Sequence, residues 1–344
     1  MNYYILPRSN IPLQLFFSYD TNTEDIIPAG FLSHTLIHSL HNIKSHMNVY
    51  NTVEKEEIMK YINPYEFIFK NVPDTFLSIS KVKPHSNIYY ELIEILQTTF
   101  LFDFMFFNKN INILHLGKDV HSTELVIDTL RDSYNDTLHV NSFELFLETS
   151  NPSTLYDFII FECIENPIHK LIRSLNTIIN CLNKNGCAIF KIDGLYNKVI
   201  IECLFILTNM FNNVYLIKPS VSNILSEEKY IVCLHYKKNA KNANLVIPNY
   251  ETLSSILKTP LPLFFLTKIE EFNAVYGQQQ LEAYDHLINI LNNKHKYDKI
   301  DTLKKINIQK GISWCEKYEI PCNKFIDKVN IFMNVKCDDA IDHK

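Results

Sequence analysis

The stretch GCAIFKIDG over Gly186–Gly194, followed after a helix-length interval by VYLIKPSVSNILSEEKYIVC over Val214–Cys233, decides the reading of the fold. Short β-branched and aromatic runs bounded by turn residues are strand signals. They predict a strand at Cys187–Ile192, a helix at Tyr196–Phe211, a strand at Val214–Lys218 and a last strand at Tyr230–Tyr236. Working outward toward the N-terminus, the same alternation continues. A helix at Ile88–Leu101 leads to a strand at Ile111–Leu116, a helix at Ser122–Tyr134, a strand at Phe158–Phe161 and a helix at Pro167–Leu182. Leu138–Val140 is the nearest candidate for a further strand between Gly117 and Glu162. Short strands alternating with helices of this length argue for a doubly wound, mostly parallel α/β sheet. The final two strands, separated only by a loop, are expected to close it as an antiparallel edge hairpin.

Outside this core the pattern changes. Before it, Phe31–His46 and Val53–Ile62 read as helices; after Lys238 no strand is expected, and Tyr250–Leu257, Pro262–Leu291 and Lys305–Tyr318 read as helices. The expected organisation is an N-terminal extension over 1–79, an α/β domain over 80–238 and a C-terminal helical region over 239–344.

Composition narrows the function. With 344 residues, 47% hydrophobic and 21% charged, the chain excludes disorder, collagen and coiled coil. Only six glycines are present, against about 7% in average proteins, which counts against a P-loop or a roomy dinucleotide loop. The net charge of −5 means that a polyanion would have to meet a local basic patch. Lys237, Lys238, Lys241, Lys294, Lys296, Lys299, Lys304, Lys305 and Lys310 are the candidates. The eight cysteines include no C-x-x-C pair, so a reducing, cytoplasmic setting is expected. The apolar run Val199–Phe211 is broken by Glu202 and is too short to span a bilayer, so no membrane is expected. His34, His38 and His41 share one helical face but lack an acidic or thiolate partner, and read as a polar stripe rather than a metal site. Cys315 and Cys322 read as core cysteines, so no metal is expected.

The motifs around Lys191 resemble the FtsJ-like family of RNA 2′-O-methyltransferases, in a form similar to those of large cytoplasmic DNA viruses. Lys191 on its strand, Lys218-Pro219, Ser226, Glu228 and Tyr230 match the family in order and spacing. YDFIIFE over Tyr156–Glu162 resembles the strand that ends in a catalytic aspartate, and SNIYYELIEI over Ser86–Ile95 resembles the leading helix. PLFFLTKIEEFN over Pro262–Asn273 is similar to viral versions. The resemblance covers about residues 80–238 and implies a Rossmann-like, S-adenosylmethionine-dependent methyltransferase sheet with an antiparallel last strand, flanked by N-terminal and C-terminal helical extensions. It implies that the cofactor would lie against Leu116, Gly117, Lys118 and Asp119, and that RNA, including a capped 5′ end, would be the substrate.

The residues at the implied catalytic positions depart from the family's Lys-Asp-Lys-Glu set. They are Glu91, Glu162, Lys191 and Glu228, one cation against three anions. At about 4 Å each added like-charge pair costs roughly 1–4 kcal/mol, depending on screening. Glutamate for aspartate at 162 adds a methylene where about 1 Å of misplacement can cost roughly a hundredfold. The loop Gly117–Ser122 carries bulky side chains where the family has proline and glycine. Lys81 or Lys83 is long enough to swing toward the position that Glu91 occupies. Two functions remain open. One is an inactive RNA-binding, scaffold or regulatory subunit, partnered with capping, transcription or virion proteins in the host cytoplasm or the virion. The other is an active 2′-O-methyltransferase in which Lys191 is the base, tuned by Glu228 and Glu162.

Overall fold

A computed structural model describes residues 3–9, 14–19, 30–142, 146, 154–164, 167–237, 253–293, 297–323 and 325. Its strands are β1 (Tyr3–Ile5), β2 (Leu15–Tyr19), β3 (Asn112–Leu116), β4 (Thr137–Asn141), β5 (Tyr156–Cys163), β6 (Leu182–Asp193), β7 (Phe211–Ile217), β8 (Glu228–Tyr236) and β9 (Leu253–Leu257). The helices are α1 (His34–His46), α2 (Thr52–Ile62), α3 (Glu66–Phe69), α4 (Ile88–Thr98), α5 (Leu101–Met105) and α6 (Val120–Arg131). They continue as α7 (Pro167–Cys181), α8 (Lys198–Met210), α9 (Leu263–Asn292) and α10 (Tyr297–Lys317).

Seven strands form one sheet in the order β1-β7-β8-β6-β5-β3-β4. Strands β4, β3, β5 and β6 are mutually parallel, and the expected remnant at Leu138–Val140 is the centre of β4. This is the Rossmann-like α/β sheet expected from the sequence, with helices at both ends of the chain. Local chemistry starts its helices. The side chains of Asp119 and Asn197 accept from Ser122 N at 3.2 Å and Val199 N at 2.8 Å, taking amide protons that a first turn otherwise leaves unpaired.

One face of the sheet packs on α7 and α8 through Ile172, Leu175, Leu204 and Leu207, with Phe272 of α9 in the same cluster. The other packs on α4, α6 and α10 through Tyr89, Ile93, Val126 and Trp314. Residues on both faces of the inner strands, such as Ile189 and Phe190, are fully buried, each stabilising by about 1.5–3 kcal/mol.

Two expectations are corrected. The β7–β8 pair is antiparallel but is not an edge hairpin: β8 inserts between β6 and β7, and β1 covers the outer edge of β7. Tyr230 through Leu234 are all buried, and a strand buried on both faces is stable in the interior of a sheet. Second, the expected helix at Tyr250–Leu257 is strand β9 over its described part, with 250–252 outside the described residues. It pairs antiparallel with β2, from Leu15 opposite Leu257 to Tyr19 opposite Leu253. The buried carboxylate of Glu202 on α8 accepts from Ser255 Oγ at 2.7 Å and Ile256 N at 2.6 Å. Pairing with a segment over two hundred residues away thus overrides local helical preference. Among the described residues no helix is long and apolar enough to cross a membrane.

Glu94 on α4 fastens three parts of the chain. Buried, it accepts from Ser220 N at 3.1 Å, Val221 N at 3.3 Å, Ser220 Oγ, and Trp314 Nε1 at 3.2 Å. Buried donors left without an acceptor cost about 1–3 kcal/mol each. Glu94→Ala is therefore expected to lower stability by about 3 kcal/mol in a urea titration. The transition should be visible in the emission of Trp314, the single tryptophan of the chain.

Candidate functional site

The strand order reverses between β3 and β5, since the chain leaves β3 for the β4 edge and returns to β5 on the other side. In open α/β sheets ligands enter the crevice at the carboxyl ends of the strands flanking such a point. Gly117 follows β3 directly, and Glu162 lies near the end of β5. Register carries the row across the next strands: Glu162 stands opposite Lys191, and Lys191 opposite Tyr230.

Lys191 and two carboxylates come together as the sequence leads one to expect. Lys191 Nζ lies 3.1 Å from Glu91 Oε2 and 3.2 Å from Glu228 Oε2, with its side chain 8% exposed. Glu91 is buried and also accepts from the Tyr230 hydroxyl at 2.5 Å and from Asn87 Nδ2 at 3.3 Å. Burial alone would depress the lysine; the charges of Glu91 and Glu228 and the hydrogen bonds to them outweigh it and raise the ammonium above its ordinary value of 10.5. A general base must release its proton near the working pH. Lys191 is held in the opposite state, as a charged partner. Tyr230 is pushed far above its ordinary value by burial and by Glu91, so its hydroxyl stays a donor.

Lys83 donates to Ser78 Oγ, and exposed Lys81 bonds through its backbone N–H to Pro321 O at 2.8 Å. Glu91 itself is the residue that faces Lys191 from α4.

Glu162, expected beside Lys191, turns away from it. Its Oε2 accepts from Lys118 N at 2.9 Å and its Oε1 from Asp119 N at 3.3 Å, while His115 Nε2 lies 3.3 Å from Oε1. That last approach lacks hydrogen-bond alignment. Burial would raise this carboxyl, but His115 and the two amides hold it below the usual glutamate value. His115, fully buried in β3, is fixed by Thr123 Oγ1 at 2.9 Å from its Nδ1. A lone histidine within the apolar run Asn112–Leu116 was the one sequence signal for this contact.

The loop expected to hold the cofactor is thus already occupied by the protein. A Cβ added at Gly117 would lie 2.4 Å from Glu162 Cδ. Asp119 is committed to capping α6 and to accepting from Ser86 Oγ, and Leu116 is buried. The residues at 116–119 do not fit the methionine end of an adenosyl cofactor while Glu162 lies there.

Lys218, read from the sequence as part of Lys-Pro, organises the next loop. Its ammonium donates to the carbonyls of Asn223, Ser226 and Glu228 at 2.9–3.0 Å and to Ser226 Oγ at 3.2 Å. Burial and the nearby charge of Lys229 push it down to about 8. It folds residues 219–227 around itself and so delivers Glu228 to Lys191. Lys229 points to the opposite face of the sheet, 5.2 Å from the Tyr196 ring centroid, and burial pushes it also to about 8.

The polar reading of His34, His38 and His41 agrees with their exposure on α1. Among the described residues no group of histidine, cysteine and acidic side chains is arranged to hold a metal ion.

No known protein-family profile matches the chain. It is similar to an uncharacterized protein of Acanthamoeba polyphaga mimivirus, 22% identical over 246 residues that make up 71% of this chain and 58% of that protein. It is also similar to a cap-specific mRNA (nucleoside-2′-O-)-methyltransferase 2 of Pongo abelii, 24% identical over 165 residues, 43% of this chain and 22% of the relative. The chain spans less than two thirds of the length of either. A solved structure of a putative ribosomal RNA methyltransferase from Plasmodium falciparum aligns at 20% identity over 44% of this chain and 98% of its own, with a TM-score of 0.33. Beyond the motifs, the chain is therefore similar in sequence to a cap 2′-O-methyltransferase over 43% of its length and to a mimivirus protein over 71%.

The Lys191 pair has a pH signature. A group whose pKa is raised on folding stabilises fully below its unfolded pKa and loses that contribution as pH rises through the folded value. The extra stability that wild type holds over Lys191→Met at pH 8 is expected to shrink above about pH 10.4, as read from urea midpoints across that range.

Proposed function

We propose that this chain is an FtsJ-type methyltransferase fold that does not transfer methyl groups and acts as an RNA-binding, scaffold or regulatory subunit. One observation carries the reading: Lys191, the residue that would act on a ribose hydroxyl, is clamped between Glu91 and Glu228 and held protonated. A 2′-hydroxyl is a weak nucleophile at neutral pH and gains nothing from an ammonium that keeps its proton. Glutamate at 91, where the family has its first lysine, supplies the field that holds it. The catalytic set is in this sense degenerate.

The RNA part of the proposal follows from the resemblance and from the named activity of the Pongo abelii relative. Exposed Lys299, Lys305 and Lys310 along α10 supply cations for a phosphate backbone. Lys304 pairs with Asp74 at 2.7 Å, and Lys238, Lys241, Lys294 and Lys296 lie outside the described residues. A capping or transcription complex, in the host cytoplasm or packaged in a virion, is the setting this reading favours. The domain limits 1–79, 80–238 and 239–344 are proposed with it.

Transfer from radiolabelled S-adenosylmethionine to capped and uncapped RNA is expected to stay at the level of Lys191→Ala. Incorporation into RNA that this substitution abolishes would establish the alternative, an active 2′-O-methyltransferase using Lys191 with Glu228 and Glu162. RNA affinity, by fluorescence anisotropy, should fall with added salt and drop when Lys299, Lys305 and Lys310 are replaced together by glutamine.

A further inference from the structure

We propose that Glu162 is a built-in latch on the crevice: its carboxylate occupies the anion seat made by Gly117 and the amides of Lys118 and Asp119, and excludes a ligand carboxylate from it. This concerns binding rather than transfer, and goes beyond the protonation of Lys191. The two carboxylate oxygens are divided between the two amides, Oε2 to Lys118 N at 2.9 Å and Oε1 to Asp119 N at 3.3 Å. Successive amides ahead of a helix are what an incoming carboxylate or phosphate would use. Here an internal anion has them.

Gly117 has a specific role in this arrangement. The missing Cβ leaves the room that Glu162 fills, with Cδ, Cγ and Oε2 all within 2.7 Å of where that Cβ would be. The scarce glycine thus serves the protein's own side chain. The reach depends on the extra methylene, because an aspartate at 162 would end about 1.5 Å short of the loop. His115 holds the latch from beneath: it is buried, pinned by Thr123, and 3.3 Å from Oε1. Two carboxylates cannot share the same pair of amides, so a ligand with an anionic end binds only after Glu162 has swung out. The ligand class rejected is an adenosyl amino acid, whose carboxylate competes directly with Glu162.

The test is calorimetric titration of S-adenosylhomocysteine into the full-length protein, its Glu162→Asp and Glu162→Ala variants, and the isosteric Glu162→Gln. Wild type is expected to give no binding heat at about 1 mM ligand, and the Asp and Ala variants to bind at least about tenfold more tightly. Hydrogen exchange at Lys118 and Asp119 should be faster in both, with the Trp314 emission of the folded protein retained. Should either variant fail to fold, Glu162→Gln decides, since it keeps the shape and loses the charge that holds the amides. Tight binding by wild type, or no binding by any folded variant, overturns the latch. Methyl transfer to RNA by Glu162→Asp would instead overturn the reading of Lys191 and leave the latch standing.

Discussion

Strand β8 runs against both of its neighbours, and its backbone hydrogen bonds to β6 on one side and β7 on the other fix what stands beside Lys191. With Tyr230 opposite Lys191 and Glu228 opposite Asp193, the alternation of a strand puts Glu228 and Tyr230 on the face that carries Lys191. A slip of one residue would exchange that pair for Lys229 and bring a second ammonium to the site. Lys218 guards the register from the loop side by gathering three carbonyls and a hydroxyl onto one ammonium. Glu94 guards it from the helix side by holding Ser220 and Val221.

Within that frame the electrostatics turn on α4. Glu91 and Glu94 lie three residues apart on the helix, both buried and both hydrogen-bonded, one facing the lysine and one the loop. A buried carboxylate needs a cation or several donors nearby; Glu91 has Lys191 and Tyr230. Breaking such a pair leaves an uncompensated buried charge. The pairing that holds Lys191 protonated is therefore also one that the packing requires.

Much of this was legible along the chain. The alternating strands and helices of 88–236, the spacing of Lys191, Lys218, Glu228 and Tyr230, and the awkward glutamates at 91 and 162 could all be read, because each depends on local periodicity or on motif order. The β2–β9 pair was not. Leu253–Leu257 is short and apolar, a length at which strand and helix segments look alike, and its partner lies at Leu15–Tyr19. The insertion of β8 between β6 and β7 was equally hidden, since a short loop between two strands fits either an edge or an interior pair.

The sequence by itself determined the sheet class, the identities of the charged groups and the scarcity of glycine around Gly117, since composition and spacing are local properties. Only the tertiary structure decided where the charges point. Glu162 stands in register with Lys191 yet its carboxylate lies on the Gly117 loop, drawn there by two amides and His115. Side-chain direction follows from donors that folding brings in from distant parts of the chain. No one-dimensional pattern records which of two nearby partners holds a carboxylate more strongly, a lysine on the next strand or an imidazole on β3 with two amides of the loop that follows it.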